Sequence, residues 1–164
     1  MFNEVAKFHK ISRERFNIDF SGSEALYEDI KLPERATVYS AGYDFYAVED
    51  IIINVGEAVI IPTGIRAEIL PGWFLGIYPR SGMGFKYGVA LFNTVGIIDG
   101  DYFNADNEGH IFIKLALRSG VEIPSPLVIK KGTAFAQGVF MMYGITCDDN
   151  VSAERKGGFG STDK

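Results

Sequence analysis

The chain has 164 residues, which suits a single domain of ordinary size. Sixteen Lys and Arg against 21 Asp and Glu leave a net charge of −5, which argues against a protein that coats DNA or RNA polymers. A single nucleotide stays possible as a ligand, because a few arginines suffice for one triphosphate. The longest uncharged stretch, residues 132–147, contains Gln137 and is too short and too polar to span a membrane.

Residue types that form disulfides or bind zinc are scarce. Cys147 is the single cysteine and has no internal partner, and no basic, apolar leader opens the chain. We therefore expect a cytoplasmic protein in a reducing compartment. His9 and His110 are too few for a His-rich zinc site, so any metal would be bound by oxygen ligands.

Aromatic and β-branched runs separated by glycine-rich turns predict an all-β fold. Residues 1–16 predict a short helix or an edge strand, and residues 23–28 predict one helical turn. The last fourteen residues lose apolar content, so we expect a folded domain over residues 1–150 and a mobile C-terminal arm over residues 151–164. Strands are predicted at residues 37–39, 45–47, 51–54, 58–62, 65–70, 74–78, 89–94, 111–117, 127–129 and 135–143.

One polar, glycine-containing cluster directly follows a predicted strand and covers residues 79–84, Pro-Arg-Ser-Gly-Met-Gly. Glycines allow the backbone to curl around an anion, and the Arg80 guanidinium can bind phosphate oxygens through two hydrogen bonds. The cluster therefore indicates a phosphate site. An ordinary strand-ending turn with a solvated arginine explains the local sequence equally well.

A second cluster spans residues 93–102, Asn-Thr-Val-Gly-Ile-Ile-Asp-Gly-Asp-Tyr. The apolar pair Ile97 and Ile98 leads into Asp99-Gly100-Asp101, which predicts a hairpin turn closed by Tyr102. A carboxylate at a strand end can hold and deprotonate a water molecule. An Asp-Gly turn without any chemical role is the alternative.

Two further clusters flank these in the sequence. Residues 41–47, Ala-Gly-Tyr-Asp-Phe-Tyr-Ala, place Asp44 where it can orient waters around Mg²⁺ or simply cap a turn. Residues 155–162, Arg-Lys-Gly-Gly-Phe-Gly-Ser-Thr, put an aromatic ring between glycines. A flexible linker needs no phenylalanine, so this pattern indicates a segment that stacks on a flat ring and contacts phosphates.

Taken in the order in which they occur along the chain, the clusters resemble the motifs of the trimeric dUTPases, the deoxyuridine triphosphate nucleotidohydrolases. The first, second, third and fifth motifs match residues 41–44, 79–82, 93–102 and 155–162, and the fourth matches residues 131–137. The resemblance runs from about residue 33 to the end and implies a jelly-roll-like β-barrel with a flexible C-terminal arm. The chain departs from the family pattern at Thr133 and Ala134, in a longer segment over residues 103–110, and at Asp163.

The resemblance implies hydrolysis of dUTP to dUMP and pyrophosphate, which limits uracil incorporation into DNA and supplies dUMP for thymidylate synthesis. It implies Asp99 as the catalytic base, Mg²⁺ as the cofactor with Asp44 contacting it only through water, and Tyr102 packing under the deoxyribose. It also implies a homotrimer with shared active sites, and partners that include neither a nucleic-acid polymer nor a membrane. The substrate-binding residues implied are Arg80, Ser81, Gly82, Asn93, Gly96, Ile97, Ile98, Tyr102, Gln137, Arg155, Phe159, Gly160 and Ser161, with Phe159 stacking on uracil and Phe112 as a further candidate for the uracil pocket.

Two alternatives stay open at this point. A dCTP deaminase shares the fold and parts of the second motif, but it needs an acid or base at the cytosine amino carbon, and no extra acid lies near residues 79–84. A dUTPase-like regulatory module would capture a protein partner, with residues 103–110 as its contact.

Overall fold

The computed structural model describes residues 3–118, 126–153, 155 and 157. Within this part of the chain, short β-strands dominate, and the predicted all-β fold is confirmed. The strands are β1 Ala6–Lys10, β2 Glu34–Arg35, β3 Tyr43–Tyr46, β4 Ile51–Ile53, β5 Ala58–Pro62, β6 Ile65–Ile69, β7 Trp73–Pro79, β8 Val89–Leu91, β9 Gly96–Ile98, β10 Phe112–Leu117, β11 Leu127–Ile129 and β12 Ala134–Met142. The helices are α1 Arg13–Asp19 and α2 Ser81–Tyr87, with 3₁₀ turns at Tyr27–Asp29 and Gly100–Asn104.

The pairings found among the described strands are all antiparallel. The largest sheet has the order β2-β3-β12-β7-β9, and a second has the order β5-β10-β8. Two smaller sheets pair β1 with β6 and β4 with β11. Crossovers between non-consecutive strands give a jelly-roll-like arrangement, in which the hydrogen bonds form separate sheets around one shared core.

The core is apolar and aromatic. Along β10, buried and partly exposed residues alternate, as expected for a strand with one face in the core. Phe45, Phe135 and Leu115 are almost completely buried, and each buried side chain of this size contributes about 1.5–3 kcal/mol. The same core holds Phe16 and Phe20, so the N-terminal helix α1 belongs to the folded body.

Several predicted elements differ from the structure at turns. The predicted strand over residues 37–39 is wrong: the Ser40 amide donates to the Thr37 carbonyl at 3.2 Å, and a turn follows the short strand β2. The predicted strand over residues 89–94 ends early, because Thr94 adopts a left-handed φ of 66°. The strand β9 after this turn was not predicted. The N-terminal region contains both the strand and the helix that were treated as alternatives.

The described residues beyond β12 are mostly exposed, among them Cys147. Neither α-helix in the described part of the chain has the length and apolar character needed to cross a membrane.

Candidate active site

One row of side chains crosses the outer face of the largest sheet. Asp44 on β3 pairs with Gln137 on β12, which pairs in turn with Tyr78 on β7. Directly paired residues in a sheet point to the same face, so these three side chains are neighbours. Together with Arg80 and Ser81 they line an open pocket on this face.

Arg80 supplies the positive charge of this outer pocket. Its Nε lies 2.9 Å from the Asp44 carboxylate, and its Nη1 donates to the Ala134 carbonyl at 3.3 Å. Asp44 therefore lies within a strand and pairs with an arginine rather than capping a turn. The Gln137 side-chain amide donates to the Pro79 carbonyl at 3.2 Å, which holds this side chain against the end of the neighbouring strand β7.

The predicted turn over residues 79–84 is partly wrong, because a helix begins there. Arg80 occupies the N-cap position and α2 starts at Ser81, so Ser81 and Gly82 lie in the first helical turn. Free backbone N–H groups in a first turn suit an anion. Gly82 and Gly84 conceal this helix in the sequence, since glycine lowers helix propensity. The available signal was Gly88, the left-handed residue that ends α2 with a φ of 63°.

A second, apolar cavity of 370 Å³ lies beside β9. Gly96 pairs with Ile77 across β9 and β7 at its wall, and a Cβ at Gly96 would come within 3.1 Å of the Ile77 Cβ. Ile97 points the other way and is largely exposed, so only its backbone belongs to this site. The lining residues are Ile60, Ile77, Leu91, Asn93, Gly96, Ile98, Phe112, Ile113 and Lys114.

Asp99 follows β9 and carries the exposed carboxylate of the site. The predicted hairpin turn is wrong here: Asp99 is the N-cap of the 3₁₀ turn Gly100–Asn104, and its side chain makes no capping hydrogen bond. Instead, its carboxylate accepts a hydrogen bond from Arg155 Nη2 at 3.0 Å. The Arg155 Nε also lies 3.3 Å from Asp101, a residue that was assigned no role from the sequence.

Tyr102 lies directly behind this ion-pair cluster. The residue is 2% exposed, and the Arg155 guanidinium lies over its ring at 5.5 Å from the centroid. Burial raises the pKa of the Tyr102 hydroxyl, which outweighs the opposing hydrogen bond from Asn107 and the charge of Arg155. Tyr102 is therefore a neutral aromatic surface covered by the start of the C-terminal arm.

The structure thus brings the predicted residues together in two groups. Asp44, Arg80, Ser81 and Gln137 line the outer pocket, and Gly82 follows Ser81 in the first turn of α2. Asn93, Gly96 and Ile98 line the apolar cavity next to Asp99. Phe159, Gly160 and Ser161 lie outside the described residues. Within the described residues, no three His, Cys, Asp or Glu side chains are grouped so that they could hold a metal ion.

The outer pocket carries the Arg80 guanidinium, and the apolar cavity lies beside the half-exposed Asp99 carboxylate, so the site suits a ligand that has both an anionic and an apolar group. The chain belongs to the dUTPase family, whose model matches residues 28–163. A deoxyuridine 5'-triphosphate nucleotidohydrolase from Lactococcus lactis subsp. lactis is 43% identical over 136 residues, covering 81% of this chain and 88% of that protein.

Solved structures agree with this assignment. The crystal structure of dUTPase from Streptococcus mutans superposes with a TM-score of 0.66 at 34% identity, covering 85% of this chain and 97% of that one. A mutant dUTPase from phage phi11 of S. aureus, described with a structural Mg(II) ion, has a TM-score of 0.63 at 18% identity and covers 92% of this chain and 98% of that one. The second likeness supports the fold alone.

Proposed function

We propose that this chain hydrolyses dUTP at sites shared between copies of itself, with uracil in the apolar cavity and the triphosphate on the outer pocket. The chain is a dUTP diphosphatase, which splits dUTP between the α and β phosphorus atoms to give dUMP and pyrophosphate. This reaction limits uracil incorporation into DNA and supplies dUMP for thymidylate synthesis. The observation that carries the proposal is the apolar cavity lined by Gly96 and Ile98 of β9, the strand that leads directly into Asp99.

The apolar cavity supports recognition of the base. Its volume is at the lower end of ligand pockets, about 300–1,000 Å³, as suits one planar ring. Backbone groups of residues 93–98 would pair with the O4 and N3–H of uracil, whereas cytosine presents the reversed polarity. Phe112, Ile98 and Ile77 leave little space for the extra methyl group of thymine.

Asp99 acts as the general base in this proposal. It holds one water in line with the α-phosphorus and accepts its proton. In the free chain Arg155 covers both Asp99 and the Tyr102 ring. The substrate therefore displaces Arg155, and the deoxyribose takes the place of the guanidinium over Tyr102.

The outer pocket receives the phosphates. Arg80, Ser81, Gln137 and the Gly82 N–H bind the phosphate oxygens. Asp44 is the carboxylate of this pocket, and it would hold Mg²⁺ through water. Bound Mg²⁺ neutralises charge on the phosphate oxygens.

The two pockets support sharing between copies. Ile77 and Tyr78 are adjacent on β7, so they point to opposite faces of the sheet. Ile77 lines the cavity and Tyr78 lines the outer pocket. One nucleotide would have to pass through the sheet to fill both in one chain, whereas two copies in a homotrimer can present one pocket each.

The C-terminal arm completes the site. Arg155, Gly160 and Ser161 close over the terminal phosphates, and Phe159 stacks on uracil. We place the enzyme in the cytoplasm, where its nucleotide substrate is found.

Two assays test the proposal. Pyrophosphate release is measured with dUTP, dTTP, dCTP and UTP, and we expect dUTP to be strongly preferred; ammonia release from dCTP would instead identify a deaminase. Inactive Asp99→Asn and Arg80→Ala proteins are then mixed after mild unfolding and reassembly. Shared sites predict that activity returns, because a hybrid site combines one intact Asp99 with one intact Arg80. Activity that stays absent in verified mixed assemblies would exclude shared sites.

A further inference from the structure

Helix α1 lies before the residues that match the family, yet it is bound to the segment that follows Tyr102. At the start of the helix, the Glu108 carboxylate accepts hydrogen bonds from the Ser12 N–H at 2.9 Å and from the Ser12 hydroxyl at 2.6 Å. Ser12 is the N-cap of α1, and its hydroxyl oxygen also accepts from the Arg15 amide. Glu108 therefore fixes the first end of the helix to residues 103–110.

The other end of α1 is fixed to the same segment by His110. Its Nδ1 lies 2.6 Å from the Asp19 carboxylate, while its Nε2 lies 2.8 Å from the Gly64 backbone nitrogen. A backbone N–H can only donate, so Nε2 accepts and the proton is on Nδ1, directed at Asp19. Arg15 donates to the same carboxylate, with its Nε at 2.6 Å. His110 is completely buried and Asp19 nearly so.

The backbone of His110 in turn holds the Tyr102 hydroxyl. That hydroxyl donates to the His110 carbonyl at 2.7 Å and accepts from the Asn107 side-chain amide at 2.7 Å. Gly109 makes this close return of the chain possible: its φ is 69°, and a Cβ there would come within 2.5 Å of the Tyr102 carbonyl oxygen. Tyr102 is therefore fixed from behind.

We propose that α1 is a positioning element for the sugar platform of the enzyme, with Asp19 and His110 as its positioning residues. The proposal rests on the proposed role of Tyr102 under the deoxyribose. Asp19 fixes the His110 ring, the His110 carbonyl fixes the Tyr102 hydroxyl, and the Tyr102 ring then lies close enough to the sugar to exclude a 2′-hydroxyl. Discrimination between dUTP and UTP thus depends on a helix that contacts neither nucleotide.

The same contacts change the interpretation of residues 103–110. Phe103 packs under Arg66, whose guanidinium lies 3.7 Å from the ring centroid and donates to the Phe103 carbonyl at 2.5 Å. Ala105, Gly109 and His110 are buried. These residues bind the enzyme's own helix and sheet, which disfavours the segment as a docking site for a protein regulator.

The test is the ratio of kcat/KM for dUTP to that for UTP, measured with the thermal midpoint of each protein. Asp19→Asn keeps the shape of the side chain but removes its charge, and we expect the ratio to fall about tenfold, since a misplacement of about 1 Å can cost up to 10²-fold. Tyr102→Phe keeps the ring and loses the hydroxyl, so we expect a similar fall.

In the double variant the ratio should fall no further than in either single variant, because both changes break one chain of contacts. Glu28→Gln is the matched control, since it removes the charge of an exposed carboxylate that pairs with Arg13, the first residue of α1. The ratio for this variant should equal that of the parent.

Each outcome decides the proposal. A folded Asp19→Asn protein with an unchanged ratio, or a double variant whose losses multiply, would overturn it, and a lowered thermal midpoint alone would leave only a structural role. If Asp19→Asn does not fold, Glu108→Gln releases the other end of α1, and its ratio decides in the same way. Tyr102→Ala separates the two claims: an unchanged ratio in that variant refutes the sugar role of Tyr102 itself, whereas a reduced ratio there with an unchanged ratio in Asp19→Asn refutes only the role of α1.

Discussion

Two arginine–aspartate clusters lie on either side of Tyr102, and they differ in their exposure to water. On the front, Arg155 bridges Asp99 and Asp101, whose side chains are 49% and 58% exposed. At the back, Arg15 binds Asp19, whose side chain is 6% exposed, and His110 completes the cluster at 0%. The carboxylates therefore differ in exposure, whereas the Arg155 and Arg15 side chains are similarly covered, at 17% and 23% exposed.

The difference in exposure separates a replaceable contact from a permanent one. Exposed ion pairs contribute about 0–1 kcal/mol, so a triphosphate can displace Arg155 at little cost. The buried Asp19 carboxylate instead accepts hydrogen bonds from both Arg15 and His110, and a hydrogen bond to a charged group contributes about 1.5–3 kcal/mol. If the proposed roles hold, the front cluster opens with each catalytic cycle, whereas the back cluster keeps the Tyr102 ring in place throughout.

The largest expected effect is on the front, at Asp99. Asp99→Asn keeps the shape of the side chain but cannot accept a proton from water, so turnover of dUTP should fall by about 10²–10⁴-fold. The thermal midpoint should stay unchanged because the carboxylate is half exposed. Asp101→Asn is the matched control: it loses its ion pair with the same arginine, Arg155, and should retain most of its turnover. Loss of a general base would lower turnover much more than about threefold. If the Asp99→Asn protein turns over dUTP within about threefold of the parent, Asp99 is therefore not the base.

The arm that carries Arg155 gives the next test. Truncation after Asn150 removes Arg155 and Phe159 but few apolar side chains, so the midpoint should shift by only a few degrees while dUTP hydrolysis collapses. Phe159→Ala should reproduce part of the loss, since stacking contributes about 1–3 kcal/mol per base. A truncated protein with normal hydrolysis would contradict closure by the arm, and one that does not fold would make the arm part of the folded domain.

The back cluster should respond in stability. Asp19→Asn leaves Arg15, which is 23% exposed, without its charged partner, and we expect the free energy of unfolding to fall by about 1.5–3 kcal/mol in urea denaturation. Glu28→Gln, at the exposed Arg13 pair, should unfold at the urea concentration of the parent. Equal urea midpoints for the two variants would show that the back cluster contributes no more to stability than an exposed ion pair does.

The smallest effect concerns pH. Burial lowers the pKa of His110 below its ordinary value of 6.5, although the Asp19 carboxylate opposes this shift. The unfolded chain then binds a proton that the folded one does not, so stability is complete above about pH 6.5 and falls as the pH decreases towards 5. The slope from one histidine is at most about 1.4 kcal/mol per pH unit. Urea denaturation at several pH values measures it, and His110→Gln should flatten this part of the profile.

Sequence patterns predicted most strands and the two polar clusters of the site, because alternation and glycine-flanked motifs are local properties. The strands β5 and β11 match their predicted bounds. Helix α2 was missed because its two glycines imitate a turn, and β9 was missed because a single left-handed residue, Thr94, separates it from β8.

The back cluster was beyond sequence reasoning for a different reason. Asp19 and His110 are separated by 91 residues, and neither belongs to a motif. His110 entered the sequence argument as one of two histidines too few for zinc and as the last residue of the segment 103–110, without a role of its own. Its function depends on burial and on one backbone N–H, that of Gly64, which no local pattern reveals.

The single thiol of the chain offers a way to follow the arm in solution. Cys147 is exposed and lies between the last strand and the segment that carries Arg155. A fluorophore or spin label attached there would occupy one defined position in each copy, without removal of competing cysteines. Its mobility, and the distances between labels in an assembly, would report on the course of the chain leaving each folded body and on how that course changes when nucleotide is added.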